Sequence, residues 1–115
     1  MITLTQLSGS TAPMGFAINA TDEEGNTIDP TVYPDIAVAF DRITSPPTPF
    51  DADTATWNTA TWSVQPGNPN PVYWVNVTPG PGGVPVSVGS YTAYVQITTD
   101  SPYGVILPAA YAIFT

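Results

Sequence analysis

The chemistry open to this chain rests almost wholly on carboxylates. It carries nine Asp and Glu residues against one basic residue, Arg42, and contains no Lys, His or Cys. Two groups of acids are close in sequence, Asp22-Glu23-Glu24 and Asp51-Ala52-Asp53. Oxygen clusters of this kind suit calcium. Their spacing matches no EF-hand loop, however, and acids in loops serve equally to keep a surface hydrated. Paired carboxylates also run glycoside hydrolysis, which needs a groove and one acid that holds its proton; no pattern marks either. A Ser or Thr nucleophile needs a neighbouring base, and the familiar triads are excluded without His, Lys or Cys. The expectation is a protein with no enzymatic activity, no cofactor and no metal-ligating residues.

Charge narrows the partners. A formal charge of −8 argues against nucleic acid, whose phosphates demand clustered Lys and Arg. It argues against anionic membrane surfaces for the same reason. Charged residues make up only 9% of the chain, against about 25% in an average domain, so Thr, Ser, Asn, Pro, Gly and Gln must supply most of the surface. Such a surface suits a protein packed against neighbours. Trp57, Tyr73, Tyr94 and Tyr103 could stack on sugars, although aromatic residues more often make core or subunit contacts. Asn19-Ala20-Thr21 and Asn76-Val77-Thr78 fit the glycosylation sequon, but both fall within expected strands. Ser45-Pro46-Pro47-Thr48-Pro49 reads as a stiff polyproline-like connector. The opening Met1-Ile2-Thr3-Leu4-Thr5-Gln6-Leu7 has neither the basic region nor the apolar run of a signal peptide, so synthesis in a cytoplasm without the usual export is expected. No stretch approaches the length of a membrane helix.

The elements that would position these residues are strands. Fourteen prolines and nine glycines are spread over 115 residues, which leaves no room for a long helix. The clearest strand is 89–99, where Tyr91, Ala93, Val95 and Ile97 share one face and Thr92, Tyr94, Gln96 and Thr98 the other. Gly89 opens it, and Asp100-Ser101-Pro102 ends it with turn-forming residues. Further strands are expected at 2–7, at 11–21 with Ala12, Met14, Phe16, Ile18 and Ala20 on one face, and at 35–43 with Ile36, Val38 and Phe40 inward. Ala37 and Ala39 would face close contact on the other side, with a neighbouring subunit as one candidate. Residues 56–64 and 72–77 form an expected hairpin around a Pro/Gly/Asn loop, with Trp62 and Trp74 as core candidates and Trp57 at a rim. The last strand, 104–115, is interrupted at Pro108, which marks an edge or a bulge. The candidate core is Phe16, Ile18, Val38, Phe40, Trp62, Trp74, Val95 and Ile97. About seven such strands indicate an all-β, antiparallel two-sheet sandwich over residues 1–115 as one domain, with a small closed barrel as the runner-up.

Gly89-Ser90-Tyr91-Thr92-Ala93 resembles the immunoglobulin-type tyrosine corner, in which a Tyr lies two residues before the second core cysteine. Ala93 takes the cysteine position here, so the resemblance implies an immunoglobulin-like sandwich without a disulfide, its Tyr91 hydroxyl bonded to backbone upstream. Residues 62–114, with a Trp strand, a Gly-x-Tyr strand, an Asp-Ser-Pro turn and a final apolar strand around Tyr111 and Ile113, resemble the small immunoglobulin-like domains of tailed-bacteriophage virion proteins. That resemblance implies a structural virion protein, first of all a capsid decoration protein that binds the major capsid protein or other virion proteins and forms a homo-oligomer. A neck, tail or baseplate adaptor and a carbohydrate-binding or adhesion module are the alternatives.

Overall fold

The computed structural model describes residues 1–21, 24–67, 69–99 and 104–115. Asp22, Glu23, Asn68, Asp100, Ser101, Pro102 and Tyr103, which the sequence places in turns or among exposed aromatics, lie outside the described residues. The rest forms eight strands and one short 3-10 turn: β1 Thr3–Gln6, β2 Met14–Ile18, β3 Ile36–Arg42, β4 Asn58–Thr59, β5 Thr61–Gln65, β6 Val72–Val77, β7 Gly89–Ile97 and β8 Val105–Phe114, with the turn at Pro30–Val32 between β2 and β3. Asp29 caps that turn, its carboxylate accepting hydrogen bonds from the Thr31 amide (2.8 Å) and hydroxyl.

The strands divide into a five-stranded sheet ordered β1-β8-β7-β3-β4 and a three-stranded sheet ordered β2-β6-β5. The chain is therefore an all-β sandwich of two separate sheets and not a closed barrel. The run β8-β7-β3-β4 facing β2-β6-β5 is the G-F-C-C′ and B-E-D arrangement of immunoglobulin domains. All pairings are antiparallel except β1 with β8, which is parallel. Neighbouring β7 and β8 keep register from Gly89↔Phe114 to Ala93↔Ala110 and resume at Tyr94↔Pro108. Ala109 is the extra residue of a bulge. Pro108, with no N–H to donate, sits beside it on the stretch of β8 that β1 does not reach.

Alternation on β7 turns Tyr91, Ala93, Val95 and Ile97 inward, and all four are buried. They meet Ile36, Val38 and Phe40 on β3 and, across the sandwich, Met14, Phe16 and Ile18 on β2 and Val75 and Val77 on β6. Phe40 is half-buried, but its ring closes an aromatic cluster: edge-to-face contacts run to Phe16 (6.5 Å), Tyr91 (6.3 Å) and Phe114 (5.5 Å). Ala93 is fully buried where the resemblance places a cysteine, and ring packing such as Phe16 on Phe40, not a disulfide, joins the two sheets here.

Several expectations change. Trp74 is not a core residue; Val75 and Val77 point inward, which turns Trp74 outward, where its indole N–H donates to Gln65 Oε1 (3.2 Å). Trp62 is half-buried on the inner side of an edge strand, its indole N–H donating to the Tyr33 carbonyl (2.9 Å). On β8 the inward residues are Ala110, Ala112 and Phe114, while Tyr111 and Ile113 face out. The second strand is shorter than expected because Pro13 cannot join the ladder at its start. Residues 56–64 are not one strand: β4 pairs with β3, then the chain crosses at buried Ala60 so that β5 joins β6 in the other sheet.

Ala39 is buried to 2% exposure on the outer face of the large sheet, and this chain itself supplies the cover. Residues 49–56 fold back over it, and Phe50 stacks on Tyr94, the residue paired with Ala39, at 3.7 Å and 8°. The proline-rich segment is thus the lead into a lid on the sheet. Phe50→Ala is expected to lower stability by about 1–3 kcal/mol and to speed amide exchange at Ala55, whose N–H bonds the Asp51 carbonyl (3.1 Å); hydrogen-exchange mass spectrometry reads both.

Candidate functional site

The tyrosine corner is built from the last turn before β7. The Tyr91 hydroxyl donates to the Ser87 carbonyl oxygen at 3.0 Å. It also accepts from Arg42 Nη2 at 2.8 Å, and the same guanidinium nitrogen donates to the Val88 carbonyl at 3.2 Å. Arg42 Cζ lies 5.0 Å from the Tyr91 ring centroid. Gly89 has φ +152°, and a Cβ there would press on the Arg42 guanidinium at 2.6 Å. The chain's one basic residue is therefore used to hold the corner, which leaves Gly89, Tyr91 and Ala93 with a structural role. The sequence signal for this was present: a lone cation at the end of β3, in a chain that has no other.

Among the described residues the acids do not gather. Asp51 Oδ1 accepts from the Asp53 amide at 3.0 Å, a turn-forming contact, and Asp29 caps the 3-10 turn. Among the described residues no three His, Cys, Asp or Glu side chains come together as a metal site would need. Of the two sequon asparagines, Asn19 is exposed, and Asn76 donates to Ser63 Oγ at 2.7 Å. No helix among the described residues is long and apolar enough to cross a membrane.

What the fold does bring together is an uncharged face. β1, β7 and β8, which lie side by side, contain no Asp, Glu, Lys or Arg. Their outward side chains include Thr92, Tyr94 and Gln96 on β7 and Ile106, Pro108, Tyr111 and Ile113 on β8, set by the register opposite the buried residues. Ile106 and Tyr111 remain 39% and 40% exposed. Phe50 extends this face over Tyr94, and the Trp57 ring meets Phe50 edge-on at 5.9 Å. Asp41, Asp51 and Asp53 lie on the side of β3 and its covering loop. The arrangement is an uncharged strip of mixed apolar and hydroxyl or amide side chains with carboxylates along one border.

Two cavities lie elsewhere on the sandwich. One, of about 560 Å³, lies where the chain crosses between sheets and is lined by Trp57, Asn58, Thr59, Thr61, Asn76 and Thr78 among others. The other, of about 530 Å³, opens at the opposite end between Ile18, Ile28, Pro30, Tyr33, Ile97 and Leu107. Tyr73 is half-buried beside Trp74 on the small sheet. No protein-family model, curated protein or solved structure matches this chain.

Proposed function

We propose that this chain is a non-enzymatic structural protein that docks on another protein through the outer face of β1, β7 and β8, and that its setting is the head of a tailed-bacteriophage virion, where it decorates the major capsid protein. The observation that supports docking is the segregation of charge. A chain of net charge −8 keeps three adjacent strands free of charge while leaving Ile106 and Tyr111 exposed on them. Interface centres are depleted in charge and enriched in aromatic residues, and contiguous apolar patches on soluble proteins mark contact sites. The phage setting rests on the likeness of the Gly-Ser-Tyr-Thr-Ala strand and its neighbours to virion domains. Self-association through the same face is compatible with the reading, since it is the surface on which two acidic copies repel least.

Ile106→Asp and Tyr111→Asp test it. Both side chains are partly exposed on β8 (39% and 40%), so each change should cost no more than about 1–2 kcal/mol and leave the chain folded, while binding to virions falls at least about tenfold, or about 1.4 kcal/mol. Gold-labelled protein added to virions should mark heads; label confined to tails would replace decoration with an adaptor role, and no labelling would end the virion reading. Because the face carries no charge, binding should change less than about threefold between about 50 mM and about 500 mM salt. A steep loss with salt would move the contact to the acidic border.

A further inference from the structure

The groove at the β4–β5 crossing is lined by no residue of β1, β7 or β8 and has a different chemistry. Its volume of about 560 Å³ is within the range of small-molecule sites, roughly 300–1,000 Å³. Trp57 forms one wall. Its indole N–H donates to the Ala52 carbonyl at 3.1 Å and its ring meets Phe50 edge-on, so the indole is held before any ligand arrives and little side-chain entropy remains to be lost on binding. Thr61 on β5 and its register partner Asn76 on β6 also line the groove.

The polar groups are neutral and carry unused capacity. The Asn58 amide nitrogen donates to the Val38 carbonyl (3.4 Å) and the Thr56 carbonyl (3.2 Å), which leaves its Oδ1 to accept. The Asn76 amide nitrogen donates to Ser63 Oγ. Its Oδ1 lies beside Gly15, where a Cβ would approach within 2.9 Å, so the missing side chain keeps that oxygen uncrowded. The hydroxyls of Thr59, Thr61 and Thr78 have no hydrogen-bond partner among the described residues, and each can donate one bond and accept two.

These features select a ligand class. An anion would find no cation, since Arg42 is committed to Tyr91 and Val88. A cation would find no carboxylate on the lining. A wholly apolar ligand would strip water from three hydroxyls and two carboxamides and return nothing, at a cost per group large enough to decide against it. A neutral molecule with an apolar C–H face and several hydroxyls satisfies both walls. We infer that this groove is a binding site for a neutral saccharide, its ring lying against Trp57 and its hydroxyls bonded to Asn58, Asn76 and the threonines.

The test is titration calorimetry and saturation-transfer NMR with lactose, maltotriose, N-acetylchitotriose and mannotriose, with 3′-sialyllactose as the charged comparison. At least one neutral probe is expected to bind saturably with Kd at or below about 5 mM. Trp57→Ala should weaken that probe at least about tenfold. Thr61→Val keeps the β-branched shape of an exposed strand residue, hence the fold, and should weaken it about threefold or more by losing the hydroxyl. Ile106→Asp, which disables the docking face, should bind the probe as the unaltered chain does. No saturable binding by any neutral probe up to about 20 mM, preference for sialyllactose over lactose, or binding unchanged in both Trp57→Ala and Thr61→Val would overturn the inference.

Discussion

Tyr91→Ala is expected to lower the free energy of unfolding by about 3–5 kcal/mol, the range for aromatic truncation in a core. Tyr91 is 8% exposed, and its ring is wedged edge-on between Phe40 (77°) and Phe114 (71°). Removing it opens a cavity among rings that no cross-link holds in place, because the chain has no cysteine. The hydroxyl adds a separate share. Tyr91→Phe leaves the ring and deletes the bonds to Ser87 and Arg42, so it should cost about 1–2 kcal/mol. Urea denaturation of the two variants separates packing from the corner bond. A loss below about 1 kcal/mol for the alanine variant would mean that the sandwich does not depend on this corner.

Gly80→Ala is expected to cost at least about 2–3 kcal/mol, from two causes that act together. Gly80 has φ +97°, where an L side chain is strained by about 1–2 kcal/mol. A Cβ there would also run into the Ser10 carbonyl oxygen, which is backbone and cannot rotate away. The β6–β7 turn, tied by Gly80 N to Val84 O (2.8 Å) and Val84 N to Thr78 O (2.9 Å), presses directly on the connector between β1 and β2. Two other glycines calibrate the effect. Gly82 has φ +80° with nothing nearby, so Gly82→Ala should cost only the backbone share, about 1 kcal/mol. Gly9 has an ordinary φ and open space around it, and Gly9→Ala should be neutral or stabilising by up to about 1 kcal/mol. Equal losses at all three positions would show that no close approach exists at Gly80.

Legibility from sequence followed one rule: a face could be read where only one parity of a segment is apolar. On 89–97 the outward positions are Thr, Tyr, Gln and Ser, so the buried set stood out and the strand is found where expected. On 72–77 the run Val-Tyr-Trp-Val-Asn-Val is apolar on both parities, and the large Trp74 drew the assignment that the smaller Val75 and Val77 deserved. The last strand is apolar on both parities too, with Tyr111 and Ile113 outward and Ala110, Ala112 and Phe114 inward, so its core face could not be read from alternation. The groove had only Trp57 as a sequence signal. Its other walls come from segments that alternation cannot bring together.

The all-β class, the inward face of β7 and the irregularity at Pro108 could be read before any strand was paired. Each follows from local causes, side-chain period or ring constraint, whereas the choice of a two-sheet sandwich over a closed barrel rests on the pairings. Only the tertiary structure decided which sheet each strand joins, the parallel docking of β1 on β8, the crossing at Ala60 and the lid that places Phe50 on Tyr94. Those depend on pairings between residues far apart in the chain, such as Ala39 with Tyr94 and Leu4 with Ala112. Their energies arise when two distant surfaces exclude water together, and no local pattern records which surface will be the partner.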